Sequence, residues 1–449
     1  MGSTLFFCLA LAVAALFHAR RLGTNLGLAP VLLGMLLVFH GPAYLYYTRE
    51  WGTETDFYFQ ILEAAPAADV IGTLDVALGL LLLSVCAGIA LIDAGSGVSR
   101  DDHAQALARW AESPVAVPDG AAERLRVVGW LAVAVLAIFA LAENQLGRAL
   151  SYSLADLGEF EKIALRRELG GSQFYLFNLF EANLFPFLAF CLVVLARIGT
   201  PRMNFLALCV VGLVLLAKLA TLSKAPPAVF LLQLLVLEAM RRSLRISPVA
   251  IAALVLAAAG LFTLTAFLAN PTLGGIGEAL DFLFYRTFMI VNEGLMEYFS
   301  AIPNVLPHTL GLENGALAAL AGERPLEPTY WVVGELHRNV SGSTTTVMFM
   351  GDAWAQFGWA GVIVAGLVAG ALVRWLDIHL IVRRGKTVGT IAGLALGHYG
   401  IFVAHSTALQ TALLTGGLLL VLPLVALVSG SAPSDAKPLP DTAAGNETT

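Results

Sequence analysis

Charge is what this sequence has least of. Only 13% of its 449 residues are Asp, Glu, Lys or Arg, against roughly 25% in an ordinary soluble domain. Hydrophobic residues make up 58% and the mean hydropathy is strongly positive. Water is therefore not the solvent for most of the surface, which argues against a soluble enzyme or binding module. Cysteine is scarce too. Cys8, Cys86, Cys191 and Cys209 fall in apolar runs, with no CxxC spacing and no neighbouring histidines, so neither a disulfide framework nor a cysteine-based metal centre is expected. His308 and His337 have no partner at zinc-like spacing, and His398 and His405 are simply two positions of one helix; no metal ligand is expected. The chain also lacks a basic surface for nucleic acid. It lacks the paired, Gly/Pro-broken halves that mark many secondary transporters.

What is present is a succession of apolar runs. They lie at about 3–19, 26–47, 71–93, 127–147, 173–196, 204–220, 226–240, 248–269, 347–373, 387–404 and 406–429, and each approaches the roughly 17–25 residues that cross a bilayer as helix. The expected architecture is all-α and polytopic, with about eleven transmembrane helices in a single domain over 1–430 and a polar, disordered tail over 431–449. The first run has no basic segment before it, and Arg20 and Arg21 follow it, so it reads as an uncleaved helix. Arginine and lysine gather on alternate connections: Arg20 and Arg21; Arg100, Arg109, Arg124 and Arg126; Arg197 and Arg202; Arg241, Arg242 and Arg245; Arg374, Arg383, Arg384 and Lys386. The positive-inside rule makes these cytoplasmic, together with the tail, and leaves 48–70, 148–172, 221–225 and the long connection 270–346 outside. The cytoplasmic loop 94–126 carries Asp101 and Asp102. With no βαβ pattern around them, they read as the cap and acidic first turn of a surface helix.

A connection as long as 270–346 is uncommon without function, and short helices at the membrane face are expected within it. Basic residues outside run against the topology rule, yet Arg49, Arg148, Lys162, Arg166, Arg167, Lys218, Lys224, Arg286, Arg324 and Arg338 all fall there or at outer helix ends. An anionic ligand would reward them, because guanidinium groups grip phosphate oxygens in a planar fork; snorkelling at helix ends is the plain alternative. In "LDFLFYRTFMIVNEGLMEYFSAIP", Arg286, Glu293 and Glu297 stand at i, i+7 and i+11 and would share one helical face. There a guanidinium on phosphate and a carboxylate on a hydroxyl proton could cooperate, or the three could form a structural ion pair. Ser223 and Lys224 precede Pro226 and Pro227, at the positive end of the next helix.

The run "GSTTTVMFMGDAWAQFGWAGVIVAGLVAGALVRWLD" resembles the C-terminal signature of bacterial oligosaccharide repeat-unit polymerases, the O-antigen and exopolysaccharide polymerase family. A Thr-rich approach leads into a helix bearing an acid, an aromatic and F-G-x-x-G, here Asp352, Trp354 and Phe357 to Gly361. "FYRTFMIVNEGLMEYFSAIP" and "TLSKAPPAVFLLQLLVL" resemble two further stretches of that family. The resemblance covers most of 120–430, and the N-terminal third carries no matching motif. It implies a glycosyltransferase-C-like membrane fold in the bacterial cytoplasmic (inner) membrane, with an active site facing the periplasm or exterior and no cofactor. The implied reaction moves a growing glycan from undecaprenyl pyrophosphate to a lipid-linked oligosaccharide repeat unit. A flippase and a chain-length regulator are the implied companions. On this reading Arg286, Glu293 and Asp352 are the candidate catalytic residues. Arg338, Lys224, Arg166, Arg167, Glu297, His337 and Thr345 are the candidate substrate-binding residues. A ligase using the same donor, and a transporter or flippase of lipid-linked sugars, are the rival readings.

Overall fold

The computed structural model describes residues 2–55, 58, 61–63, 65–154, 175–200, 202–222, 225–269, 275–326, 328–337 and 346–429. Among these, regular structure is helical apart from two isolated bridges. The helices are α1 (Gly2–Phe17), α2 (Leu28–Phe39), α3 (Pro42–Arg49), α4 (Ala67–Ser96), α5 (Arg100–Glu112), α6 (Ala121–Ala142), α7 (Gln145–Leu154), α8 (Phe185–Arg197), α9 (Met203–Ala220), α10 (Ala225–Arg242), α11 (Pro248–Ala269), α12 (Ile276–Phe284), α13 (Ile290–Ala301), α14 (Gly315–Ala321), α15 (Pro328–His337), α16 (Phe349–Asp377), α17 (Val388–Ser406), α18 (Leu409–Leu414) and α19 (Val421–Ser429).

Eight helical segments among the described residues are long and apolar enough to cross a membrane, where eleven were expected. The difference lies in three places. Helix α10 carries Glu238, Arg241 and Arg242 toward its end, α11 is described as an apolar stretch only over Val249–Leu264, and the last run is broken between α18 and α19. The run at 26–47 is also divided. At Gly41 an added Cβ would lie 2.2 Å from the Leu37 carbonyl oxygen, so the chain turns there between α2 and α3.

The centre of the bundle is α4 against α16. Backbones approach where side chains vanish: a Cβ on Gly370 would stand 2.2 Å from the Val85 carbonyl oxygen, and one on Gly88 2.3 Å from that of Leu367. In lipid, where tails compete equally well for apolar surface, such close approach is what holds helices together. Helix α17 packs between α8, α10 and α19, and α13 lies across α4 and α16 at one end.

The basic connections do converge on a single end. Lys386 donates to the carbonyls of Ser113 and Arg242, Trp110 Nε1 donates to the Met240 carbonyl, Asn25 bridges to Arg245, and Arg374 pairs with Asp93 at 2.6 Å. The expected surface helix is α5, and its acids do what was expected of them: Ser99 Oγ accepts from the Asp102 amide and the Asp102 carboxylate accepts from the Ser99 amide. His103, behind that cap, is held neutral, its pKa lowered to about 4 by burial and then by the Arg374 charge. Asp75 and Asp93 lie 18 residues apart on α4, about 27 Å of helix, so the acids and tyrosines around Asp75 occupy the opposite end.

Candidate functional site

That opposite end collects ionisable groups that an apolar bundle would otherwise exclude. Asp75 is fully buried; it accepts from Thr4 Oγ1 (2.7 Å), Tyr44 Oη (2.7 Å) and Arg49 Nη2, the last to both carboxylate oxygens at 3.0 and 2.9 Å. Four donor contacts consume the carboxylate, so this pair fixes α3 against α1 and α4. One turn after Tyr44 on α3, Tyr47 turns its hydroxyl toward Glu293 on α13 (3.5 Å), and Tyr285 donates to the same carboxyl at 3.0 Å. Glu293 and Glu297, one turn apart, are buried. Below them Asn292 bonds His40 at 2.9 Å, His40 reaches His405 at 3.4 Å, and Asn292 Nδ2 donates to the carbonyls of Phe39 and Phe288. A charge at this depth in an apolar bundle costs several kcal/mol unless it is compensated or used.

A second acidic group sits where α16 begins. Gln356 Nε2 donates to Asp352 at 2.8 Å and to Glu313 at 3.2 Å, and Thr309 Oγ1 donates to Glu313 at 3.0 Å. Among the described residues no arginine or lysine reaches either carboxyl. Burial first, and then the neighbouring Asp352 carboxyl, push Glu313 well above the ordinary carboxylate range, so the pair retains a proton. The F-G-x-x-G run has a structural job beside it. Gly358 adopts φ +56, which breaks α16 into two inclined halves, and a Cβ on Gly361 would stand 2.0 Å from the Ala353 carbonyl oxygen. Trp354 stacks on Phe299 at 4.3 Å and donates to the Ile302 carbonyl at 2.9 Å, which ties α13 to α16.

One expectation fails. Arg286 does not share a face with Glu293 and Glu297: it is exposed, its guanidinium lies over the Phe282 ring at 5.5 Å, and no ion pair joins it to either glutamate. The cause is the π-helical turn Tyr285–Met289 between α12 and α13. A π turn takes in an extra residue, which rotates everything before it by about 100° relative to an unbroken α-helix. The rotation brings Tyr285, not Arg286, onto Glu293.

Several basic residues counted for an anionic ligand are committed internally. Arg49 pairs with Asp75, Arg148 with Glu143 at 3.0 Å, and Lys218 with Glu181 at 3.1 Å, the last almost fully buried. Arg286 and Arg324 remain exposed. Lys162, Arg166, Arg167, Ser223, Lys224, Arg338, Thr344 and Thr345 lie outside the described residues, as does the side chain of His337 at the end of α15. Among the described residues no three His, Cys, Asp or Glu side chains group as metal ligands do. Residues that sequence reasoning passed over are Tyr47, Tyr285, Asp75 and Glu313. Of these, only Asp75 announced itself, as an acid set inside an apolar run. Compared with protein-family models, curated proteins and solved structures, the chain matches none.

Proposed function

We propose that this chain is a membrane-bound glycosyltransferase that polymerises lipid-linked oligosaccharide repeat units, the reading implied by its family resemblance. The observation that carries it is Glu293. This carboxyl is buried in an apolar helix at the end opposite the basic connections and accepts from two tyrosine hydroxyls. By the positive-inside rule that end faces the exterior of a bacterial cytoplasmic membrane, where a polyprenyl-pyrophosphate donor presents its glycan.

In the proposed step an acceptor hydroxyl attacks the anomeric carbon of the donor glycan. The carbon–oxygen bond to the pyrophosphate breaks, the pyrophosphate leaves with the electron pair, and Glu293 receives the hydroxyl proton. General-base assistance of this kind contributes about 10²–10⁴-fold. Exposed Arg286 has no carboxylate partner among the described residues and lies on the π-helical turn that leads into α13, so it serves the leaving pyrophosphate at the rim; Arg338, Lys224, Arg166 and Arg167 are the further candidates for that charge. The Asp352–Glu313 pair, rich in acceptors and with no cation beside it among the described residues, suits sugar hydroxyls better than phosphate. Thr345, Glu297 and His337 complete the proposed glycan contacts, and a flippase and a chain-length regulator are the proposed companions.

The test is the glycan profile of a strain lacking the protein. Single lipid-linked repeats support a polymerase. Accumulated lipid-linked polymer would instead assign the chain to ligation, and an unchanged surface glycan would remove it from this chemistry.

A further inference from the structure

At the basic end, a groove of about 460 Å³ runs between the last turns of α16, the π-helical segment Ile378–Arg384 and α19. Its walls are apolar, with Leu372, Leu376, Leu419, Leu422 and Pro423 among them. Its mouth is not. Trp375 is 40% exposed, its ring 4.5 Å from that of His379. His379 Nδ1 donates to the Trp375 carbonyl, and its Nε2 accepts from Arg383 Nη1 at 3.0 Å, so both ring nitrogens are engaged. Arg384 also lines the groove, and its Nη1 is buried without a hydrogen-bond partner among the described residues. Among the described residues no acidic side chain lines the groove; the nearest in sequence, Asp377, is occupied by the amides of Leu28 and Ala29.

A buried guanidinium donor left open at an apolar groove asks for an anion with an apolar body. The groove's length says which. From Leu372 to Arg384 is twelve residues, about 18 Å of helix, close to the roughly 15 Å of one leaflet in a 30 Å hydrocarbon core. Helix α19 keeps the same direction, because its end at Ser429 meets Thr387 beside the basic end while Leu418 lies against Gly400, deeper along α17. The groove therefore begins at headgroup level, marked by the two arginines, and ends near mid-bilayer. We propose that it holds one anionic phospholipid of the leaflet at the basic end, with its phosphate on Arg384 and Arg383 and one acyl chain against α19.

Native mass spectrometry on the purified full-length protein tests this, by titration with phosphatidylglycerol and with phosphatidylcholine of the same chain length. Wild type should retain the anionic lipid about five-fold better or more, as one or two basic groups near a lipid phosphate give. Arg384→Gln should abolish the preference and Arg383→Gln should reduce it. Leu422→Trp, which fills the groove and keeps both arginines, should lose both lipids. Equal retention of the two lipids by wild type, or an unchanged preference in Arg384→Gln, would overturn the proposal. So would displacement by soluble glycerol phosphate, which would make this a free-anion site. A preference that emerges only when Asp435 and Asp441 are changed to Asn would give the groove to the chain's own acidic tail.

Discussion

Glu293→Gln separates chemistry from architecture. The substitution keeps shape and volume, so it opens no cavity. Tyr285 donates to one carboxyl oxygen at 3.0 Å and Tyr47 to the other at 3.5 Å. In the variant one hydroxyl still donates to the amide oxygen, and the other rotates to accept from the amide NH₂. Exchanging a charge-assisted bond for a neutral one costs about 1–2 kcal/mol, and the longer contact contributes little of that. The amide no longer carries a charge into the apolar bundle, which offsets part of the loss. A melting shift of a few degrees in detergent is expected. If Glu293 accepts the proton, polymer formation should fall about 10²–10⁴-fold, which is about 2.7–5.4 kcal/mol of barrier. The kinetic loss thus exceeds the stability loss. Tyr285→Phe serves as the control: it removes the 3.0 Å donor and leaves the carboxylate, so it should cost stability by a similar amount and activity by about ten-fold or less. The assay is ladder formation from purified lipid-linked repeats at matched levels of folded protein. Glu293→Gln ladders within about three-fold of wild type would exclude the carboxylate from proton transfer and leave it a structural partner of two tyrosines.

The remaining predictions concern architecture. Arg49→Gln should destabilise the protein by about 2–4 kcal/mol, below the 3–5 usual for breaking a buried pair, because the arginine is 30% exposed and Asp75 keeps Thr4 and Tyr44; a melting shift below one degree would refute the assignment. The raised Glu313 carboxyl makes the folded state bind more protons than the unfolded one. Its contribution is therefore full below the ordinary carboxylate pKa of about 4.3 and declines as pH rises above it. Glu313→Gln should flatten the fall in melting temperature between about pH 5 and 9, and a parallel pair of curves would contradict this reading. Gly370→Ala drives a methyl to within 2.2 Å of the Val85 carbonyl oxygen, so α4 and α16 must separate. A loss of about 1–3 kcal/mol is expected, and a neutral melt would show that the close approach is not required.

Helix positions were legible in this sequence because apolar length is a one-dimensional signal; the runs at 71–93, 204–220 and 387–404 reappear as α4, α9 and α17. The grouping of the basic residues was legible too, since their connections meet at one end through Lys386, Arg245 and Arg374. Which groups meet at the other end was not legible, because it depends on angle rather than position. A reading that assumes 100° per residue puts Arg286 on the face of Glu293, and a single π-helical turn puts Tyr285 there. Pairing was equally hidden. Arg49, Arg148 and Lys218 look in sequence like spare cations at helix ends, and each is neutralised by an acid between 5 and 37 residues away. The loss of those three concentrates the argument, since an arginine satisfied by a buried carboxylate has little left for a pyrophosphate. Among the described outer cations, Arg286 keeps its guanidinium over an aromatic ring, with no carboxylate to displace. The same turn that takes Arg286 away from Glu293 leaves it exposed, free to serve a lipid-borne leaving group on the function proposed above.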